Sequence, residues 1–231
     1  MVGSDALQDA RIVVIGAGAV GAAVSYRLAQ AGAQVTTVEW RYPGAGTTGG
    51  SFAWINGLDK PPKHYHRLNI MSIRDHQDLA DELNGKWVRV DGGLHWEHDA
   101  EAARVVALRN SIKQLREWGQ RVDQTSPEIV MRELEPDLWI DPDKVSTVYR
   151  VAREGTVTPV LMAHSVMQAA MLRYGAKLER ATVVALRGPK GAVDRVVLDN
   201  GQELPADVVI NCAGPEADRI AALAGAKIPL A

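Results

Sequence analysis

Three glycines, Gly16, Gly18 and Gly21, follow directly on the apolar run Arg11 to Ile15 and open a stretch of strong helix formers, Ala19 to Ala31. That order constrains the fold more than any other feature, because it is the pattern of a buried strand handing over to a helix through a tight turn. The β-branched run reads as a parallel strand covered on both faces, and the residues after it have helical spacing. Gly16 permits the tight turn, Gly18 lets a diphosphate approach the backbone, and Gly21 lets the helix lie close on the strand. The helix N-terminus offers free amide hydrogens and a partial positive charge to phosphates. Gly32 fits a helix C-cap, and Gln34 to Val38 alternate as a second strand. Glu39 then stands where a carboxylate accepts hydrogen bonds from an adenosine ribose. An acid there disfavours a 2′-phosphate, which makes NADP the least suitable ligand. The same glycines would serve a tight βα turn in any doubly wound domain; strand, helix, second strand and Glu39 in register favour a nucleotide.

The chain has 231 residues, enough for one large or two small domains, and its formal charge of −2 gives no electrostatic case for nucleic acid or an anionic membrane. Met1 to Ala10 is polar and carries two aspartates, unlike a secretory signal. No apolar stretch is long enough for an integral membrane segment. A single cysteine, Cys212, excludes an internal disulfide and a cysteine-based zinc cluster, so a cytoplasmic location is the default expectation.

Beyond Trp40 the chain enters a long connection, Arg41 to Pro62, rich in glycine and threonine from Gly44 to Ser51. Phe52, Trp54 and Ile55 in it argue for packing. The segment is either an ordered surface loop or a second phosphate-contacting element in which Thr47, Thr48 and nearby amides face a pyrophosphate. Arg41 either neutralises phosphate charge or pairs with a surface acid.

Further on, periodicity predicts helices over Tyr65 to Leu83, Ala100 to Trp118 and Val160 to Tyr174, the last started by Thr158 and Pro159 and closed by Gly175. Trp87 to Trp96 carries a hairpin signal around Asp91 to Gly93, and Ser126 to Leu138 reads as a short helical turn ended by Pro136. Leu178 to Leu186, Val193 to Leu198 and Asp207 to Cys212 read as strands, with a tight turn at Asp199 to Gly201. The doubly wound pattern is thus interrupted between about Asn56 and Thr156 and then resumes. The expected organisation is a discontinuous nucleotide domain, residues 1–55 and 157–231, with residues 56–156 inserted as part of a second domain.

Four segments in order resemble the FAD-dependent amino-acid oxidases and dehydrogenases of the D-amino-acid oxidase, glycine oxidase and sarcosine oxidase type. They are the Gly16, Gly18, Gly21 turn with Glu39; the Gly44 to Gly50 loop running into Ser51 to Asn56; Gly155 to Pro159 with Gly175 to Leu178; and Val208 to Pro215. The resemblance implies an α/β fold, a Rossmann-like FAD-binding domain with a mostly parallel sheet and an inserted, incomplete α+β substrate domain. It implies flavin or pyrophosphate contacts for Thr47, Thr48 and Ser51, an adenine-side backbone contact for Val184, and closure over the ribose and diphosphate by Cys212, Ala213 and Gly214. The candidate cofactor-binding set is completed by Ala17, Ala19, Val20, Trp40, Arg41 and Gly50, beside Gly16, Gly18, Gly21 and Glu39. Glu216 departs from the aromatic residue that often follows the proline of the last segment.

Family members usually continue well past the position of Leu230 and Ala231, to a returning substrate sheet and a late glycine-rich segment. The expectation is therefore a truncated gene product, a fragment or one half of a split enzyme. An incomplete substrate sheet has free edges, so self-association or a partner subunit is also expected. The implied reaction takes a hydride from the α-carbon of an amino acid or related amine to flavin N5. An imine is left for water to hydrolyse. Since the cofactor carries the electron transfer, no catalytic residue is assigned. A NAD-dependent dehydrogenase and a non-catalytic nucleotide-binding fragment or subunit are the alternatives. No metal site is expected: His64 and His66 lack a third ligand and read as solvated or loop-packing. Cys212 reads as a small core residue, Trp54 as core or a flavin neighbour, and Glu133, Glu135 and Asp137 as a solvated turn.

Overall fold

The computed structural model describes residues 7–189 and 192–229. In chain order they form β1 (Arg11–Ile15), α1 (Ala19–Gln30), β2 (Gln34–Glu39), β3 (Trp54–Ile55), α2 (Lys63–Leu83), β4 (Val88–Arg89), β5 (Gly93–His95) and α3 (Ala102–Glu117). There follow β6 (Val122–Thr125), α4 (Pro127–Ile129), β7 (Val148–Val151), β8 (Gly155–Val157), α5 (Pro159–Tyr174) and β9 (Lys177–Arg180). The last elements are β10 (Val183–Arg187), β11 (Arg195–Leu198), β12 (Glu203–Pro205), β13 (Val208–Asn211) and α6 (Ala217–Leu223). Two compact units result, one of Met1–Ala53 with Thr158–Ala231 and the other of Trp54–Val157.

The first unit is built on a parallel sheet in the order β13-β1-β2-β9. Its central strand β1 is buried from Ile12 to Ile15, as a strand covered on both faces must be. Val13, Ile15 and Val38 pack with Val196, Leu198 and Leu204 of the antiparallel meander β10-β11-β12 and with Ile220 of α6. On the alternate face α1 and α5 pack together, with Tyr26, Met167 and Ala170 fully buried. A buried hydrogen bond of 2.7 Å between the Ser25 and Thr37 hydroxyls ties α1 to β2. Gly32, at φ 95°, ends α1 in a left-handed turn in which the Ala33 amide returns to the Leu28 carbonyl at 3.1 Å.

Leu178 to Leu186 is not one strand. The chain breaks at Ala181 and Thr182, where the Ala181 amide donates to the Glu39 carbonyl at 3.2 Å and Asp199 accepts the Thr182 amide at 3.2 Å. β9 therefore joins the parallel sheet and β10 begins the meander.

The second unit holds two three-stranded sheets, β3-β8-β4 and β5-β7-β6. The expected hairpin at Asp91 to Gly93 does not form, because β4 pairs with β8 and β5 with β7. The bend at Gly92 instead carries the chain between sheets beside the bend before β8, the Gly92 amide donating to the Glu154 carbonyl at 3.0 Å. His95 Nε2 and Glu154 Oε2, 2.8 Å apart and buried, link the same region. Phe52, 84% exposed, does not supply the packing that an apolar reading of the loop suggests, whereas the Trp54 ring, 37% exposed, lies against His95 at 5.6 Å between ring centres. His66 is the opposite case: it is buried, with Nδ1 donating to the Gly57 carbonyl at 2.9 Å and its ring against Trp118.

Candidate cofactor site

At the carboxyl ends of the parallel strands the first unit encloses a cavity of about 500 Å³. Such a crevice is where open α/β sheets place ligands, since helix N-termini and loops converge there. The Gly16 turn is held on both sides: its amide donates to Val38 at 2.8 Å, and the Cys212 amide donates to Ile15 at 2.8 Å. Gly16 has φ 99°, and a Cβ there would collide with the Cys212 carbonyl. A Cβ on Gly21 would collide with the Gly16 carbonyl, so the third glycine lets α1 close on its own entry turn. At Gly18 the nearest atom to a Cβ is Thr48 Oγ1 at 3.1 Å, and its other side faces the cavity.

Thr48 comes from the glycine-rich loop. Its hydroxyl oxygen accepts the Ala19 amide at 3.0 Å and so caps α1, while the Gly44 amide fixes the loop to the Ala17 carbonyl at 2.9 Å. The amides of Val20 and Gly21 have no carbonyl one turn back within the helix and give this end of the cavity its positive character. Glu39, 9% exposed, accepts the Ala17 amide through Oε2 and the Arg41 amide through Oε1, each at 3.0 Å. Both carboxylate oxygens are thereby held at the end of β2, with lone pairs left for hydroxyl donors. Burial pushes the Cys212 thiol up, so it stays neutral and adds no repulsion towards an anion. It sits past the strand, half-buried on the cavity wall, and is not a core residue.

Of the residues singled out in the sequence, Gly16, Gly18, Glu39, Trp40, Thr47, Thr48, Cys212, Ala213 and Gly214 line this cavity. Ala17 and Ala19 support it through the amide bonds above. Gly21 packs beneath the turn, and Val20 is exposed. The Arg41 guanidinium lies 5.3 and 5.4 Å from the ring centres of Trp40 and Tyr42, outside the lining. Gly50 and Ser51 are exposed, the Ser51 hydroxyl accepting the Ala53 amide at 2.9 Å. On β10 the cavity is lined by Val183, while Val184 points away and is exposed. Sequence reasoning missed Ala181, Thr182, Glu216 and Arg219. The end of the third parallel strand was the available signal for the first two, because the crevice follows all the strand ends. Arg219 carries no sequence signal.

Residues 11–231 match the family model described as DAO, FAD dependent oxidoreductase. The chain belongs to this family. No curated protein sequence matches it. Among solved structures, L-proline dehydrogenase from P. horikoshii superposes with a TM-score of 0.80 at 24% identity, over 97% of this chain and 58% of that one. Glycine oxidase from Bacillus cereus gives 0.79 at 18%, over 93% and 58%. Iminodiacetate oxidase from Chelativorans sp. BNC1 gives 0.73 at 27%, over 92% and 57%. The chain thus spans less than three fifths of these relatives.

FAD is the family's cofactor, and the cradle fits it: Gly16 and Gly18 line the cavity without side chains, the N-terminus of α1 lies beside them, and a buried carboxylate stands at the neighbouring strand end. Among the described residues no group of three or more His, Cys, Asp or Glu side chains is arranged to hold a metal, and no helix is long and apolar enough to cross a membrane.

Proposed function

We propose that the chain supplies the FAD-binding part of an oxidoreductase acting on the C–N bond of an amino acid or related amine. The reading rests on one observation above all: Glu39 is locked between the Ala17 and Arg41 amides beside a glycine turn whose Cβ positions are blocked or face the cavity. FAD held there would supply the hydride-accepting chemistry, at flavin N5, for oxidation of the substrate α-carbon. The chain's own residues bind and orient. Gly16, Gly18 and the first turn of α1 take the diphosphate, Thr48 holds the loop over it, Glu39 takes the ribose hydroxyls, and Cys212 to Gly214 wall the crevice.

Residues 1–55 with 157–231 act in this reading as the discontinuous FAD domain, and 56–156 as part of the substrate domain. The names of the superposed structures, a proline dehydrogenase, a glycine oxidase and an iminodiacetate oxidase, support an amino-acid or amine substrate. β3, β4, β5 and β6 are edge strands of three-stranded sheets, which supports self-association or a partner subunit through this region. A cytoplasmic location belongs to the same reading. Full activity draws on residues beyond those present here, in the same polypeptide or a partner.

Absorbance between 300 and 550 nm is the direct test. Purified protein, as isolated or after incubation with FAD, is expected to retain flavin bands near about 375 and 450 nm through gel filtration and release them on denaturation. A chain that stays colourless after incubation with excess FAD sinks the proposal.

A further inference from the structure

We propose that Arg219 clamps the nucleobase end of the bound nucleotide, its guanidinium lying flat against the purine face. The proposal rests on the FAD reading above. The order of strand ends gives the ligand its direction. In the sheet β13-β1-β2-β9, the glycine turn and the start of α1 follow β1, Glu39 ends β2, and Ala181 follows β9. With the diphosphate at the first position and the ribose at the second, the purine falls at the third, about 5 Å further on. The cavity wall there is Ala181, Thr182 and Val183, joined by Ile220 of α6.

Arg219 is the one cationic side chain in the described lining. Its Nη1 donates to the Val183 carbonyl at 3.3 Å, and its Nε donates to Glu216 Oε2 at 3.2 Å. Two acceptors on different elements thus hold the guanidinium over the β10 side of the cavity. α6 itself packs against both β10 and β13, which anchors the base of the side chain. Pairing with Glu216 offsets its charge, so Arg219 is poorly suited to act as a free counter-ion for the diphosphate. A planar cation held over an apolar wall is suited to an aromatic face instead.

Calorimetric titration of the whole chain with FAD and with ADP tests this. Arg219→Ala is expected to weaken both ligands by about tenfold, because both carry adenosine and stacking on a cation has that order of effect. Arg219→Lys keeps the charge without the plane and is expected to lose nearly as much. The loss is expected to persist in about 0.5 M salt, where simple charge pairing with phosphate is screened. Unchanged affinity in Arg219→Ala, or wild-type affinity in Arg219→Lys, overturns the proposal while leaving the FAD reading intact. A wild-type chain that binds neither ligand overturns both.

Discussion

Glu39 accepts the Ala17 amide proton at 3.0 Å, and with its other oxygen it takes the amide of Arg41. One buried carboxylate therefore organises the turn after β1 and the chain leaving β2. Glu39→Gln puts an amide group where two acceptors are needed and sets one donor against another. The expected result is a loss of about 1–3 kcal/mol in stability, the usual scale for a buried unsatisfied group, together with FAD affinity weakened at least tenfold. Urea unfolding and flavin-fluorescence titration read the two effects separately.

Gly16 and Gly18 separate folding from binding. Gly16→Ala forces a Cβ into the Cys212 carbonyl at a positive φ and is expected to cost about 2 kcal/mol or more. Gly18→Ala has no positive φ to strain and presses only on Thr48 Oγ1 at 3.1 Å, the oxygen that caps α1, so it is expected to cost no more than the cap itself, about 1 kcal/mol, while FAD uptake falls. Equal destabilisation by both variants would contradict the division of roles.

Thr48 reaches from the loop to the start of α1, where no residue of the helix provides a side-chain cap. Thr48→Val removes the acceptor but keeps the shape. Thermal unfolding should show a loss of about 1 kcal/mol, as for other helix caps.

Arg11 and Asp207 tie the start of β1 to the approach of β13, Asp207 Oδ2 accepting the Arg11 amide at 2.9 Å and Oδ1 the guanidinium at 2.5 Å. These hydrogen bonds pull the Asp207 carboxyl down from 3.8 to about 2. A carboxylate lowered on folding stabilises the native state above its unfolded value, and the contribution disappears as pH falls from about 4 through about 2. Urea midpoints across that window should fall more steeply for the wild type than for Asp207→Asn. Parallel curves would show that the link carries no proton-coupled stability.

The β1-turn-α1-β2 unit was legible because its information is local: β-branched run, glycines, helix formers and an acid lie within Arg11 to Glu39. Strand partners were not. Nothing between Leu178 and Leu186 marks the change of sheet at Thr182, which is held by Asp199, seventeen positions away. The false hairpin at Asp91 to Gly93 has the same origin, since both flanking strands find distant partners. Phe52 misled because apolarity alone does not say whether a side chain is covered. At the cavity, strand-end position explains Ala181 to Val183, whereas Arg219 arrives through the packing of α6 and is visible only in three dimensions.

β1 pairs with both β2 and β13, and its Arg11 meets Asp207 across a separation of 196 residues. During synthesis, then, the glycine turn emerges early but remains half a crevice until β13 and α6 leave the ribosome. For that interval the edge of β1 that later takes β13 is unpaired, the condition under which strands mispair. A nucleotide that needs both walls cannot rescue the early intermediate. On the reading proposed above, FAD would stabilise the unit only once both walls are in place.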